Sequence, residues 1–366
     1  MKVTRLSHSD AIHSGDVQFD NFFGNSGIAA ALAGMIERRK IPQTLLFSGP
    51  EGVGKGTLAR RFGARLLGDN AVRIEQDDLS LDANASLIAD RERWPADKRN
   101  EDPLVFSSHP DFLTFAPDGP LRQITIQQMR LLKERAPLKP LRGNWRVFLI
   151  DSIDRANEQA ANSLLKTLEE PPPHLILIMT ARNAYDLLPT IRSRSVPFHF
   201  ARLAEEEIRA FLATRPVDDA ERRLHLAEGS PGLAVSIDLE AYDRRRAAML
   251  ALLQAASRAG SFEAWRRHSD SLAARRTEKL EWYLEALYSL IEDVVRAANG
   301  SAELRNRDLS KEIGALAKKS TLAWLWRFVA RVDELVELAR RNIQKPIALD
   351  ALALLTPTAM ELRGGF

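Results

Sequence analysis

Short apolar runs alternate with helix-period patterns over about the first 200 residues of the chain. Apolar runs that are partly β-branched or aromatic and end at Pro, Gly, Asp or Asn predict strands over 44–48, 112–115, 146–150, 175–180 and 196–200. A helix face follows the third run, with Ala161, Leu164, Leu165 and Leu168 at helical spacing before three prolines. Strands that alternate with amphipathic helices indicate a parallel sheet built from βαβ units.

After about residue 202 the strand patterns disappear, and Ala, Leu, Glu and Arg dominate in helix-period patterns. One stripe of apolar side chains consists of Leu325, Phe328, Val329, Val332 and Val336. The sequence GSPG at 229–232 and the Asn-Gly pair at 299–300 interrupt these helices. We therefore predict an α/β domain over 1–201, with a polar surface insertion over 68–108, and two helical units over 202–242 and 243–366.

The composition is that of an ordinary folded protein, with 45% hydrophobic and 28% charged residues in a chain of 366. A net charge of +3 provides no overall attraction to nucleic acid, so a DNA contact requires a local patch. Because the chain has no Cys, disulfides, thiolate metal sites and Cys nucleophiles are excluded. The seven His residues are scattered without metal-ligand spacing, so we predict no metal site.

The apolar pattern predicts neither a signal peptide nor a membrane helix. Residues 1–8, MKVTRLSH, lack the apolar stretch of a signal peptide. The longest apolar runs fall far short of the 18 or more residues of a membrane helix. We therefore expect a cytoplasmic protein with no membrane partner.

Residues 49–57, GPEGVGKGT, follow the first predicted strand and precede a predicted helix. Glycines let backbone N–H groups point at phosphate oxygens, the helix N-terminus adds its positive dipole end, and Lys55 can neutralise terminal phosphates. Where Mg²⁺ is held, the residue after the lysine is Ser or Thr, and here it is Gly56. Thr57 lies one residue later and points in a different direction. The loop therefore predicts phosphate binding and argues against metal-assisted hydrolysis.

Asp151 follows the third predicted strand, where a carboxylate would reach the Mg²⁺ of a bound nucleotide. Ser152 comes next, at a position where many ATPases of this architecture place a glutamate, and a hydroxyl cannot act as a general base near neutral pH. Asp154 is expected to cap the following helix. The candidate nucleotide-binding residues are Gly49, Gly52, Gly54, Lys55, Gly56, Thr57 and Asp151.

Two segments in tandem, NSLLKTLEEPP at 162–172 and LPTIRSRS at 188–195, resemble the clamp-loader branch of the AAA+ ATPases. The sequences HPD at 109–111 and ITIQQMR at 124–130 are similar to that family as well. The resemblance is strongest over 41–200. It implies a RecA-like P-loop domain, a helical lid and an all-α collar that assembles into a five-subunit ring. Such rings open a sliding clamp and load it onto primed DNA as part of the bacterial DNA polymerase III holoenzyme.

Within this resemblance, Ser193, Arg194 and Ser195 occupy the family's Ser-Arg-Cys motif, whose arginine reaches the nucleotide of the neighbouring subunit. Gly56, Ser152 and Gly232 stand where the motor subunits carry a metal-binding hydroxyl, a catalytic glutamate and a phosphate-sensing arginine. The resemblance therefore implies a stator subunit that supplies Arg194 in trans and has no ATPase activity of its own.

The implied partners are motor subunits of the tau/gamma type and the delta subunit, with the clamp and primed DNA contacted through the complex. The implied ligand is ATP or ADP held without turnover, with Mg²⁺ only where a nucleotide binds. Relatives carry a zinc-binding Cys cluster between the phosphate loop and the second strand. Since 68–108 contains no Cys, no zinc is expected.

Two alternatives stay open. The chain could be an ATP-hydrolysing motor subunit if Thr57 or Asp154 replaces the missing groups. The phosphate loop also resembles that of nucleoside monophosphate kinases, in which Gly follows the Lys as well. Those kinases are compact single domains, and the Glu-Glu-Pro-Pro sequence at 169–172 and the long helical C-terminal half do not belong to their pattern.

Overall fold

The computed structural model describes Phe19 and residues 21–68, 71–274, 278, 280–301, 303–339 and 344–357. Within them the strands are β1 (Thr44–Ser48), β2 (Val105–His109), β3 (Phe112–Phe115), β4 (Arg146–Ile150), β5 (Leu175–Ala181) and β6 (Val196–His199). The α-helices of the first part of the chain are α1 (Ser26–Glu37), α2 (Lys55–Leu67), α3 (Ala71–Glu75), α4 (Asp82–Arg91), α5 (Ala96–Glu101), α6 (Ile126–Arg135), α7 (Glu158–Glu169), α8 (Pro189–Arg192) and α9 (Glu205–Ala213). Those that follow are α10 (Ala220–Ala227), α11 (Pro231–Ser236), α12 (Leu239–Ala256), α13 (Phe262–Ala274), α14 (Leu280–Ala298), α15 (Ser310–Lys319), α16 (Leu322–Ala339) and α17 (Lys345–Ala353).

The strands form one sheet in the order β2-β3-β4-β5-β1-β6. Every neighbouring pair is parallel except β2 and β3, which are antiparallel. The five predicted strands are confirmed, and β2 is the strand that the pattern missed. Its sequence VFSSH is half polar and lies on the sheet edge, so it lacks the continuous apolar run that identifies a buried strand.

Side chains of the central strands alternate between two apolar cores, one on each face of the sheet. One core joins the sheet to α6 and α7 through Leu46, Phe148, Ile150, Leu177, Met179, Met129, Leu132, Leu164 and Leu168. The other joins it to α1 and α2 through Leu45, Phe47, Val147, Leu149, Ile176, Ile178, Leu32, Leu58 and Phe62. A parallel sheet covered on both faces explains why these strands are apolar at every position.

The segment 68–108 is more ordered than the sequence predicted. It contains α3, α4, α5 and β2, and it buries charged groups rather than exposing all of them. Arg91 Nη2 lies 2.8 Å from Asp118 Oδ2, and Arg91 Nε donates to Asp118 Oδ1 at 3.0 Å. The charges that suggested an irregular surface insertion are therefore partly internal partners.

The contact pattern divides the chain into two compact units. One comprises the residues through Arg215 together with Gly229–Gly232, and the other comprises Pro216–Glu228 and the residues from Leu233 onward. The predicted boundaries at 201 and 242 are not tested by this division and stay predictions. None of the described helices combines the length and the hydropathy of a membrane span. Residues 1–8, on which the signal-peptide prediction rests, lie outside the described residues.

The second unit has its own core. The predicted stripe on α16 is confirmed as a helix face, with Leu325, Phe328 and Val332 buried beside Trp265 and Leu287. The break at 299–300 is confirmed too, since α14 ends at Ala298. Trp324 is also buried in this core, whereas Trp326 is 67% exposed. Its neighbours at helical spacing take the core face of α16.

Replacing Arg91 by Met tests whether 68–108 is an integral part of the fold. We expect a loss of about 3–5 kcal/mol, because the buried Asp118 carboxylate would lose its ion-pair partner. The control Arg93→Met, at an exposed position on the same segment, should change stability by no more than about 0.5 kcal/mol. Hydrogen–deuterium exchange of the 82–118 amides measures both. Equal protection in the two variants would show that the ion pair contributes little.

Candidate functional site

The glycine loop lies between the end of β1 at Ser48 and the start of α2 at Lys55. Gly54 caps α2 with φ of 94°, and a Cβ there would lie 2.8 Å from the ring of Phe22. At Gly49, with φ of 145°, a Cβ would lie 2.3 Å from the carbonyl oxygen of Phe200. Both positions require glycine because of their backbone angles and their close neighbours. Thr57 is the third residue of α2 and is half-buried.

The Lys55 side chain folds back over the loop. Its Nζ donates to the carbonyl oxygens of Gly49, at 2.6 Å, and Pro50, at 2.5 Å. Burial lowers the pKa of the Lys55 ammonium, and the nearby carboxylates of Asp151, Glu51 and Asp154 oppose that effect. A buried ammonium next to a helix N-terminus favours an anionic ligand, because the negative charge of the ligand would stabilise the charged form that burial disfavours.

Residues 229–232 pack against the loop through backbone contacts. The N–H of Gly232 donates to the carbonyl oxygen of Gly52 at 2.9 Å, and Ser230 Oγ donates to that of Glu51 at 3.0 Å. A Cβ at Gly232 would lie 3.0 Å from both Cα and O of Gly52. The absence of a side chain at Gly232 thus allows its backbone to approach Gly52 closely.

Asp151 lies directly after β4, and its carboxylate is held by a neighbour from β5. Thr180 Oγ1 donates to Asp151 Oδ1 at 2.6 Å and accepts from the backbone N–H of Ser152 at 2.8 Å. Thr180 lies in a predicted strand but was not among the predicted site residues. A polar side chain near the carboxyl end of a buried strand was the available signal, since that end faces the ligand crevice in such sheets.

Position 56 faces Asp151 and Arg60. A Cβ at Gly56 would lie 3.4 Å from Asp151 Oδ2 and 3.3 Å from Arg60 Nη1. A hydroxyl at this position would face the carboxylate, but the chain has glycine there and a guanidinium beside it. These residues do not fit a protein-held Mg²⁺, which needs oxygen ligands and is repelled by a cation. Across the part of the chain that the structure describes, no cluster of three His, Asp or Glu is placed to hold a metal ion.

Asp154 does not cap α7, so that expectation is wrong. The cap is Asn157, whose side chain accepts from the N–H of Ala160 at 2.8 Å. Asp154 instead lies in a single 3₁₀ turn, where Oδ2 accepts from the N–H of Arg182 at 3.4 Å. The Arg182 side chain forms an ion pair with Glu51 of the loop. Asp154 is therefore near Lys55 rather than at the start of the next helix.

Arg194 lies just after α8 and is held by groups outside the glycine loop. Its Nη2 is 2.9 Å from Glu169 Oε1 at the end of α7, and its Nη1 donates to the Thr190 carbonyl oxygen at 3.1 Å. One third of the Arg194 side chain is exposed. The neighbouring Arg192 instead stacks on the exposed ring of Tyr185, 5.1 Å from its centroid. The fold thus gathers Lys55, Gly56 and Asp151 in one site and places Arg194 in another.

A parallel sheet with a glycine loop between β1 and α2 defines a P-loop α/β protein, and this confirms the predicted fold class. Comparison with known proteins narrows the class. A family model described as "DNA polymerase III, delta subunit" matches residues 99–204. The DNA polymerase III subunit delta′ of Pseudomonas aeruginosa is 30% identical over 190 residues, which are 51% of this chain and 52% of that protein.

Two further relatives carry other subunit names. The gamma/tau subunit of Mycobacterium tuberculosis is 30% identical over 201 residues, 53% of this chain and 30% of that protein. The tau/gamma subunit of Haemophilus influenzae is 28% identical over 195 residues, 53% of this chain and 25% of that protein. The matches span about a quarter to a half of these relatives. A solved gamma subunit-related protein from Thermotoga maritima has a TM-score of 0.43 and 16% identity, covering 88% of this chain and 97% of that one.

The family model and the curated relatives confirm the predicted resemblance to the AAA+ clamp-loader family, delta′ subunits included.

We predict that the Lys55 ammonium titrates below the 10.5 of a free lysine, because its burial disfavours the charged form. NMR of the reductively ¹³C-methylated chain measures this, and the Lys55→Arg variant identifies the resonance by its loss. Since the unfolded state then binds more protons, the free energy of unfolding should rise with pH between the lowered pKa and 10.5. A Lys55 resonance that titrates at or above 10.5 would contradict the prediction.

Proposed function

We propose that this chain is a delta′-type stator subunit of the bacterial DNA polymerase III clamp loader. It supports loading of the sliding clamp onto primed DNA by supplying Arg194 to the ATP site of a neighbouring motor subunit. It hydrolyses little or no ATP itself. The observation that carries the proposal is that Arg194 is presented at the surface while positions 56, 152 and 232 of the chain's own loop site lack the groups of hydrolysis.

The environment of Arg194 supports a role in trans. The guanidinium is partly exposed, and its carboxylate partner Glu169 is itself half-exposed, so the pair contributes no more than about 1 kcal/mol. A γ-phosphate of an adjacent subunit carries more negative charge than Glu169 and can compete for the same fork of N–H donors. The pair with Glu169 keeps the side chain extended at the end of α7 until that competitor arrives.

The environment of the loop supports the absence of turnover. Gly56 provides no hydroxyl, Ser152 provides no carboxylate to activate water, and Gly232 has no room for a longer side chain against Gly52. Hydrolysis by a P-loop protein needs a held metal and an oriented water. The three positions together remove both requirements.

This role requires partners that the chain does not contain. We infer tau/gamma-type motor subunits and a delta subunit as direct neighbours, with the sliding clamp and primed DNA contacted through the complex. We infer a cytoplasmic location for this role. A nucleotide in the loop, ATP or ADP, would be held rather than turned over.

A second candidate is an ATP-hydrolysing motor subunit. The relatives named tau and gamma favour it, as does Asp154, whose carboxylate is near enough to Lys55 to influence its pKa. For this function Asp154 would have to replace the missing glutamate as the base. Its Oδ2 accepts from the N–H of Arg182, which limits its reach.

Arg194→Ala should lower clamp- and DNA-stimulated ATP hydrolysis by the reconstituted loader. Loss of an arginine finger slows ATP hydrolysis at the site it serves on the order of 10³-fold or more. The total rate should therefore fall by the fraction that this site contributes. The matched control is Arg192→Ala, two residues away and stacked on Tyr185, which should hydrolyse at the wild-type rate. Steady-state phosphate release measures both. Equal rates for Arg194→Ala and wild type would remove the finger assignment.

The purified chain alone should show no Mg²⁺-dependent ATP turnover that Lys55→Ala abolishes. Subtracting the rate of that variant corrects for contaminating ATPases, because only turnover at this loop depends on its lysine. Within the reconstituted loader, Lys55→Ala should leave clamp loading nearly unchanged. Clear Lys55-dependent turnover by the isolated chain would favour the motor subunit or a phosphotransferase instead.

A further inference from the structure

We propose that the glycine loop of this chain binds a nucleoside polyphosphate without a divalent cation. The Arg60 guanidinium provides a positive charge beside position 56, where a metal-binding hydroxyl would otherwise lie. This inference goes beyond the stator function and does not depend on it. It concerns the chain's own loop, whereas the stator function depends on Arg194.

Gly56 and Arg60 are neighbours in space as well as on the helix. They are four residues apart on α2 and so lie on the same face of the helix. Arg60 Nη1 lies 3.3 Å, and Nη2 3.8 Å, from the position that a Cβ of residue 56 would take. Asp151 Oδ2 lies 3.4 Å from the same position. A serine or threonine at 56 would thus be crowded by the guanidinium, and the glycine leaves that space to Arg60.

Arg60 is buried, and its Nε is a hydrogen-bond donor without an acceptor among the described residues. The residue is 3% exposed. Its Nη2 forms an ion pair with Asp78, but its buried Nε has no hydrogen-bond partner among the described residues. A buried guanidinium with an unmade hydrogen bond is costly unless another interaction offsets the cost. The Nε itself is closed off from solvent, so an anionic ligand at the N-terminus of α2 would be met by the Nη atoms, which lie nearest position 56.

The segment 68–108 holds Arg60 in place. Asp78 lies in the turn after α3, and the preceding Asp77 is buried and accepts from the N–H of Ser108 at 3.0 Å. These contacts fix the turn against β2 and so fix the carboxylate that orients Arg60. The segment therefore has a role in the site even though it contributes no residue to the glycine loop.

Charged side chains of both signs surround the glycine loop. Lys55 and Arg60 both lie near Asp151, whose Oδ1 already accepts the Thr180 hydroxyl. Glu51 and Asp154 are also near Lys55, and Asp78 pairs with Arg60, so the preference for a metal-free ligand depends on the place of Arg60 beside position 56 rather than on the total charge. A metal-free polyphosphate carries more negative charge than its Mg²⁺ complex and is attracted more strongly by two cations. A divalent cation would instead be repelled by Arg60 and would find no hydroxyl at position 56. The site therefore favours the metal-free form.

Titration of a fluorescent N-methylanthraniloyl-ATP with the full-length chain tests this, in EDTA and in excess Mg²⁺. We expect saturable binding in EDTA at least as tight as in Mg²⁺. Arg60→Met should weaken binding in EDTA by about tenfold or more, because a charge-assisted contact to phosphate is lost. The matched control is Arg61→Met, the next residue of α2, which pairs with Glu75 and should bind as the wild type does.

Two further variants keep the test decisive if Arg60→Met fails to fold, which circular dichroism and thermal unfolding would reveal. Asp78→Asn keeps the guanidinium and an oxygen that it can donate to, so binding in EDTA should stay close to that of the wild type. Arg60→Gln keeps a polar head that can donate to Asp78 and removes the positive charge, so binding in EDTA should weaken.

Three results would overturn the proposal. They are no saturable binding in either buffer, binding by the wild type that is lost in EDTA, and an unchanged affinity of a folded Arg60→Met variant. None of them bears on Arg194, which is assayed in the assembled loader, so failure of this inference is distinguishable from failure of the stator function.

Discussion

The parallel register of β1, β4 and β5 is the constraint on which the site depends. Ser48 pairs with Ala181 and Ile150 with Met179, so the carboxyl ends of the three strands lie side by side. The glycine loop, Asp151 and Thr180 meet there because each follows or ends one of these strands. The apolar side chains that fill both faces of the sheet hold this register, since a one-residue slip would exchange its two faces.

Within this frame, the local charge arrangement around position 56 is the basis of the proposed metal-free binding. Replacing a hydroxyl by hydrogen at position 56 removes a ligand and also makes room for a guanidinium four residues later. Glycine at position 56 thus removes a metal ligand and leaves a guanidinium facing Asp151. Arg60 can occupy that position because the turn around Asp78 supplies its counter-charge. The retained lysine and the loop glycines still favour phosphate, so loss of metal chemistry and loss of anion binding are separate matters.

Arg194 depends on a different part of the fold. Its position is set by the end of α7 and the short α8, both packed on the opposite face of the sheet from α2. The Glu169 carboxylate that holds it belongs to the same Glu-Glu-Pro-Pro sequence that ends α7. A single short segment therefore terminates a helix and supplies the carboxylate that pairs with Arg194.

The sequence by itself determined the strand-loop-helix order, the β1, β3, β4, β5 and β6 strands, and the residue types at the glycine loop and at 193–195. These follow from local periodicity, glycine and proline placement and side-chain chemistry, which need only a few neighbouring residues. The edge strand β2, the buried charges of 68–108, the Thr180 contact to Asp151 and the capping of α7 by Asn157 rather than Asp154 did not follow. Only the tertiary structure decided them, because each depends on which distant segment lies beside a polar group once the sheet has formed. The place of Arg60 is the clearest case: its neighbour Gly56 is close in sequence, but Asp78 and Asp151, the two carboxylates around it, are brought there by the fold.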